Sequence, residues 1–100
     1  MYAISVRQPW VEQIICGIKT RECRSQATKI RGPIYLYASL TPRKDAAEWR
    51  KVGKAIGDLS CGAIAGTVEI VECVANGGGY AYVLAKPRRF RRKLTPKNQP

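Results

Sequence analysis

The sequence predicts an α+β fold, a small curled sheet of mostly antiparallel strands with two short helices laid against it. Three observations carry that expectation. Alternating apolar residues recur in short, β-branched segments; two other segments carry apolar residues at helical spacing and are closed by glycine; and no GxGxxG or P-loop spacing accompanies them. The expected order is β-α-β-β-α-β-β without a helical crossover, and a chain of 100 residues is expected to hold one core.

The first segment, "YAISVR", sets Ile4 and Val6 against Ala3 and Ser5 and reads as a strand. "QPWVEQIIC" follows as a helix, with Pro9 tolerated in its first turn and Trp10/Ile14 and Val11/Ile15 paired at four-residue spacing. Gly17 suits the left-handed position that ends helices. "KTRECR" then predicts a second strand with Thr20, Glu22 and Arg24 on one face and Arg21 and Cys23 on the other. After a polar connection, "IYLYAS" alternates Ile34, Leu36 and Ala38 with Tyr35, Tyr37 and Ser39. In "TPRKDAAEWRKVGKAIG" the expectation is a helix with Thr41 as N-cap, Pro42 at its first position, and a stripe of Ala46, Trp49, Val52 and Ile56 ending at Gly57. "GAIAGTVEIVECV" reads as a long strand bending at Gly66, "ANGGG" as a tight turn, and "YAYVLAKP" as the strand that pairs back. The pattern allows "RRFRRK" to extend that strand. Residues 1–93 thus form one expected domain, with 94–100 as a frayed tail.

Composition narrows the function classes. Cys16, Cys23, Cys61 and Cys73 occur singly, without a CxxC pair, and the chain has no histidine, so neither a metal site nor a cofactor is expected and the thiols are read as reduced. The commonest general base near neutral pH is also missing. No apolar run approaches the ~20 residues of a membrane span, and "MYAISVRQPW" has no signal-peptide pattern, so the expected location is cytoplasmic. A net charge of +11 favours a polyanionic partner, because phosphate contacts release condensed counterions. Seven of the cations follow Ala85 with no acid among them. The body and the C-terminal segment are therefore expected to contribute differently.

The densest local signal is "GIKTRECR". Lys19 falls just beyond the helix stop, where the partial negative charge of the helix end favours an ammonium, and Glu22 and Arg24 share a strand face. Lys19 and Arg24 could hold phosphate while Glu22 orients Arg24 or accepts from a base amino group; a solvated charged strand explains the same spacing. In "RQPW", Gln8 could read a base edge and Trp10 could stack on a base, or Trp10 could be core. Tyr35 and Ser39 could line a cleft or decorate a sheet. "KPRRFRRK", with Arg88, Arg89, Arg91 and Arg92 around Phe90, has the basic-with-aromatic character of a nucleic-acid contact. Glu69 and Glu72 fall on opposite strand faces, which excludes a paired-acid mechanism from them.

Taken in order, "ISVRQPW", "GIKTRECR", "RGPIYLYAS", "GAIAGTVEIVEC" and "YAYVLAKPRR" resemble the ASCH domain family of the PUA-like superfamily over nearly the whole chain. Its GxKxxExR motif is matched by Gly17, Lys19, Glu22 and Arg24, with "RQPW" in support. The resemblance implies a small β-barrel of about five or six strands, two helices flanking a cleft lined by the motif, and RNA as partner. On that reading Arg7, Gln8, Trp10, Lys19, Glu22 and Arg24 build the cleft, with single-stranded or looped RNA preferred over duplex. Some relatives are amidohydrolases acting on N-acetylated cytidine nucleosides, and others are reported as ribonucleases. For such an enzyme Lys19 and Glu22 would be the catalytic candidates, although Glu22 stands where those amidohydrolases have threonine. The short "ANGGG" and the end at "NQP" imply a barrel left open at one edge; the default is a monomer, with dimerisation through that edge as the alternative.

Overall fold

A computed structural model of the protein describes residues 1–95. Its elements run β1 (Ala3–Val6), α1 (Trp10–Ile15), β2 (Arg21–Arg24), β3 (Gly32–Ala38), α2 (Ala46–Arg50), β4 (Ala63–Asn76) and β5 (Gly79–Leu94). The five strands form one sheet in the order β1-β3-β4-β5-β2. The expected element order is found, and three of the four strand pairs are antiparallel. The β1–β3 pair is parallel, with Ile4 opposite Leu36. This corrects the expectation of no crossover: parallel neighbours cannot be joined by a hairpin, and the connection passes through α1 and β2.

The sheet is not closed by main-chain pairing. Its edges are β1 and β2, and the Arg24 side chain spans the seam between them, its Nη2 donating to the Ser5 carbonyl at 2.7 Å. The barrel expectation is met only as an open mixed sheet. One face of that sheet holds the core. Ile4, Val6, Ile34, Leu36, Val68, Ile70 and Leu84 pack together there under Val11 and Ile14 of α1. At ~1.5–3 kcal/mol per buried side chain of this size, those two α1 residues anchor a helix too short to persist on propensity.

The helix stops where the sequence says it should. Gly17, at φ 79°, turns the chain so that the Ile18 and Lys19 amides both donate to the Gln13 carbonyl, at 2.8 and 3.0 Å. The second helix is much shorter than expected. Thr41 and Pro42 do not open it; the Arg7 guanidinium takes both their carbonyls at 2.9 Å, and the Trp49 indole takes the Arg43 carbonyl at 2.8 Å. Carbonyls that would have served a first helical turn are used by tertiary donors, and the helix begins only after Asp45.

The basic run does extend the sheet, as part of β5. Strand β2 pairs only with Tyr80 to Val83, so β5 beyond Ala85 is paired to β4 alone among the described residues. Pairing there is irregular, with Lys86 at φ 52° beside Pro87. The expected frayed segment 94–100 lies largely outside the described residues, which reach Thr95.

Gly66 is where β4 meets this irregular stretch. A Cβ at that position would overlap the Arg88 main-chain carbonyl, so the strands approach closely only because the side chain is absent. Gly66→Ala is expected to lower stability by about 1–3 kcal/mol in urea denaturation. Gly78→Ala, where a Cβ meets nothing within 4 Å, is expected to change little; equal effects would refute the close-approach account.

Candidate functional site

The motif "RQPW" serves mainly to position other segments. Besides the two Arg7 bonds, Gln8 Oε1 accepts from the Glu12 amide at 3.1 Å and its Nε2 donates to the Ser60 carbonyl at 3.3 Å. The Gln8 main-chain carbonyl accepts from the Arg43 amide at 2.7 Å. Arg7 and Gln8 therefore tie the segments around residues 41–43 and 60 to the start of α1, and with Gln8 only 3% exposed, its amide is spent inside the fold. Base reading by Gln8 gains no geometric support.

Trp10 differs. It is half-buried and forms one wall of an open cleft of about 490 Å³ between α1 and α2, lined also by Gln13, Ile18, Lys19, Asp45, Glu48 and Lys51. Lys19 Nζ lies 5.2 Å from its ring centre and the Arg43 guanidinium 4.9 Å, so two cations already approach the indole. Its Nε1 donates to Glu48 Oε1 at 3.0 Å. The same oxygen accepts from Gln13 Nε2 at 3.2 Å and from Lys51 Nζ at 3.2 Å, while Lys51 also reaches Oε2 at 3.0 Å. These donors hold the Glu48 carboxyl down at about 2, well below its ordinary 4.5, with Lys51 as the largest cause.

At the other end of the motif, Glu22 is 7% exposed and lies between two cations, Lys19 at 3.6 Å and Arg24 at 3.1 Å. Glu22 and Arg24 do share the face the spacing predicts, and Arg21 is exposed; Thr20 falls before β2 and is exposed, so it does not join that face. Arg24 spends its Nε on Glu22 and its Nη2 on Ser5, which makes it a brace across the seam. The cations of the cleft are thus each matched by an acid: Lys19 with Glu22, Arg43 with Asp45 at 2.6 Å, and Lys51 with Glu48.

The remaining candidates are not in this cleft. Tyr35 packs edge-on against Phe90, ring centres 6.2 Å apart, and Ser39 shares a hydrogen bond with Ser5 at 2.8 Å. Arg89 forms a two-pronged pair with Glu12 at 2.8 and 2.7 Å, docking α1 onto β5. That guanidinium holds the Glu12 carboxyl below its usual range against the opposing effect of burial, while burial first, and then Glu12, pushes the Cys16 thiol up. Arg88, Arg91 and Arg92 are exposed and make no side-chain hydrogen bond or ion pair among the described residues. Also among those residues, no three His, Cys, Asp or Glu side chains group to hold a metal ion, and no helix is long and apolar enough to cross a membrane.

Sequence reasoning missed Gln13, Arg43, Glu48 and Lys51. The i,i+3 spacing of Trp10 with Gln13, and of Glu48 with Lys51, was a usable signal that each pair shares a helix face. Nothing in the spacing joined the two helices.

Two expectations follow. Arg24→Ala removes charge-assisted bonds across the seam and is expected to cost about 1–3 kcal/mol. Arg21→Ala, on the exposed face, should stay within about 0.5 kcal/mol. Chemical denaturation measures both, and equal losses would refute the brace. The Glu48 contribution has a definite sign: its folded value is depressed, so its stabilisation is complete above 4.5 and is lost as pH falls towards about 2. Thermal unfolding followed through that window should decline less steeply in Glu48→Gln than in the unmodified chain; parallel curves would refute the assignment.

With this geometry in hand, comparison with curated proteins returns no significant match. The ASCH domain model matches residues 4–89, a stretch that contains α1, the whole of "GIKTRECR", both long strands up to Arg89, and therefore both walls of the cleft. The chain belongs to the ASCH domain family.

Proposed function

We propose that the protein binds single-stranded or looped RNA, with the α1–α2 cleft taking an unpaired nucleotide and the outer part of β5 supplying attraction to the phosphate backbone. The observation that carries this reading is how the charge is distributed. Among the described residues, five of the seven acids are consumed in internal ion pairs, and Arg88, Arg91 and Arg92 are left exposed and unpaired on one strand. Exposed cations this close in sequence attract a phosphate chain and carry no sequence information. The cleft supplies the other half. Its volume, about 490 Å³, suits one nucleotide, and its indole wall and Lys19 suit an unstacked base and a phosphate; a duplex presents phosphates but no unstacked base. Membership of the ASCH family supports the same class of partner.

The test is titration of fluorescent single-stranded RNA across a salt series. Affinity is expected to fall steeply with salt, and replacing Arg88, Arg91 and Arg92 together by alanine should flatten the log–log slope by about 2, at ~0.7 per phosphate contact. Lys19→Ala should weaken binding with a smaller change in slope. Salt-independent binding, or none, overturns the reading. Turnover of N-acetylcytidine or of RNA that is lost in Lys19→Ala would replace it with a hydrolase.

A further inference from the structure

Glu48 presents an unusual concentration of donors on one exposed-side carboxylate. Trp10 and Gln13 come from α1, whose orientation is set by the core beneath Val11 and Ile14, and Gln13 is itself only 3% exposed. Lys51 comes from the turn that follows α2. The donors on α1 are rigidly placed; the acceptor rides on a five-residue helix whose buried side chain is Trp49 and which has no side-chain cap. Gln13 Nε2 carries two protons. One goes to the Glu48 main-chain carbonyl at 3.0 Å, and the other to the carboxylate at 3.2 Å. The main-chain tether would therefore survive if the carboxylate swung away.

We propose that Trp10 Nε1, Gln13 Nε2 and Lys51 Nζ form an anion site that the chain's own Glu48 carboxylate fills, and that a phosphate oxygen of the ligand occupies by displacing it. A phosphate group presents the same kind of acceptor as a carboxylate, and fixed N–H donors with an ammonium are the groups that recognise it. The balance of charge points the same way. With Glu48 in place, Lys19, Arg43 and Lys51 each have an acid within 4 Å, which weakens the attraction the resting cleft offers an incoming anion. Removing that one carboxylate leaves Lys51 unmatched beside Lys19. Glu48 is in this sense a competitive occupant. It lowers apparent affinity by the fraction of time the donors are filled, and selects for ligands whose anion is strong enough, or tethered closely enough, to take its place. The RNA-binding reading supplies the identity of the ligand, but the site rests on the donor geometry alone.

The experiment uses the whole chain and two probes, inorganic phosphate and a 5′-phosphorylated RNA trinucleotide, followed by the ¹⁵N–¹H signal of the Trp10 indole, which Trp49→Phe distinguishes from the second tryptophan. If the donors are free less than a tenth of the time, Glu48→Ala is expected to bind either probe at least about tenfold more tightly, with the Trp10 signal moving and the Trp49 signal still. Adding Lys51→Ala should reverse most of the gain. Should Glu48→Ala fail to fold, Glu48→Gln keeps an acceptor for Trp10 and Gln13 and is still expected to bind phosphate more tightly than the unmodified chain. Unchanged or weaker binding in the folded Glu48 variants, or a Trp10 signal that stays fixed at saturation, overturns the proposal. Phosphate binding by Glu48→Ala, with no RNA bound by any variant, upholds the site and overturns the RNA reading. RNA binding that ignores Glu48 does the reverse.

Discussion

The structure depends on finding partners for polar side chains that the start of α1 carries into the interior. Gln8, Glu12 and Gln13 are each less than a tenth exposed, and a buried amide or carboxylate left without a partner costs more than a helix of six residues could offset. None is left so: no buried side-chain nitrogen or oxygen among the described residues lacks a hydrogen bond. The partners are what arrange the molecule. Gln8 takes the segment at Ser60, Gln13 takes the backbone of α2, and Glu12 takes Arg89 of β5. A short helix thereby orders two segments that contribute little to the apolar core and fixes the outer half of β5 beside them.

That ordering explains why the cleft is polar and why its cations sit in ion pairs. Its wall on one side is α1, held by Val11 and Ile14 in the core; on the other it is α2, joined to α1 by the hydrogen bonds of Trp10 and Gln13 to Glu48. Each cation brought into this partly desolvated space is met by a carboxylate, because unmatched charge there would be disfavoured. Positive charge left over appears where solvent can screen it, on the outer half of β5 and at exposed positions such as Arg21, Lys29, Lys44, Arg50 and Lys54. The exposed basic stretch of β5 and the cleft are thus carried by different elements, which meet through the Glu12–Arg89 pair.

Much of the fold was legible because its signals are local. Ile4 and Val6, or Ile34 and Leu36, declare a strand by their alternation, and Gly17 declares a helix stop by the conformation it alone adopts cheaply. The face shared by Glu22 and Arg24 followed from the strand period. Errors arose where a distant donor overrode a local preference. Thr41 and Pro42 have the chemistry of a helix start, yet Arg7 takes their carbonyls. Arg89 belongs to a run that looks uniformly solvent-facing, yet one guanidinium in it is taken by Glu12, 77 positions away.

By itself, the sequence determined the element order, the site of the helix stop, the motif that identifies the family, and the excess of positive charge, since each is a property of neighbouring residues or of the total. Only the tertiary structure decided that β1 pairs in parallel with β3, that Arg24 braces an open seam, and that Glu48 meets Trp10, Gln13 and Lys51. The reason is common to all three. Which buried donor meets which acceptor depends on chain segments brought together by burial of the core, and sequence spacing carries no record of that meeting.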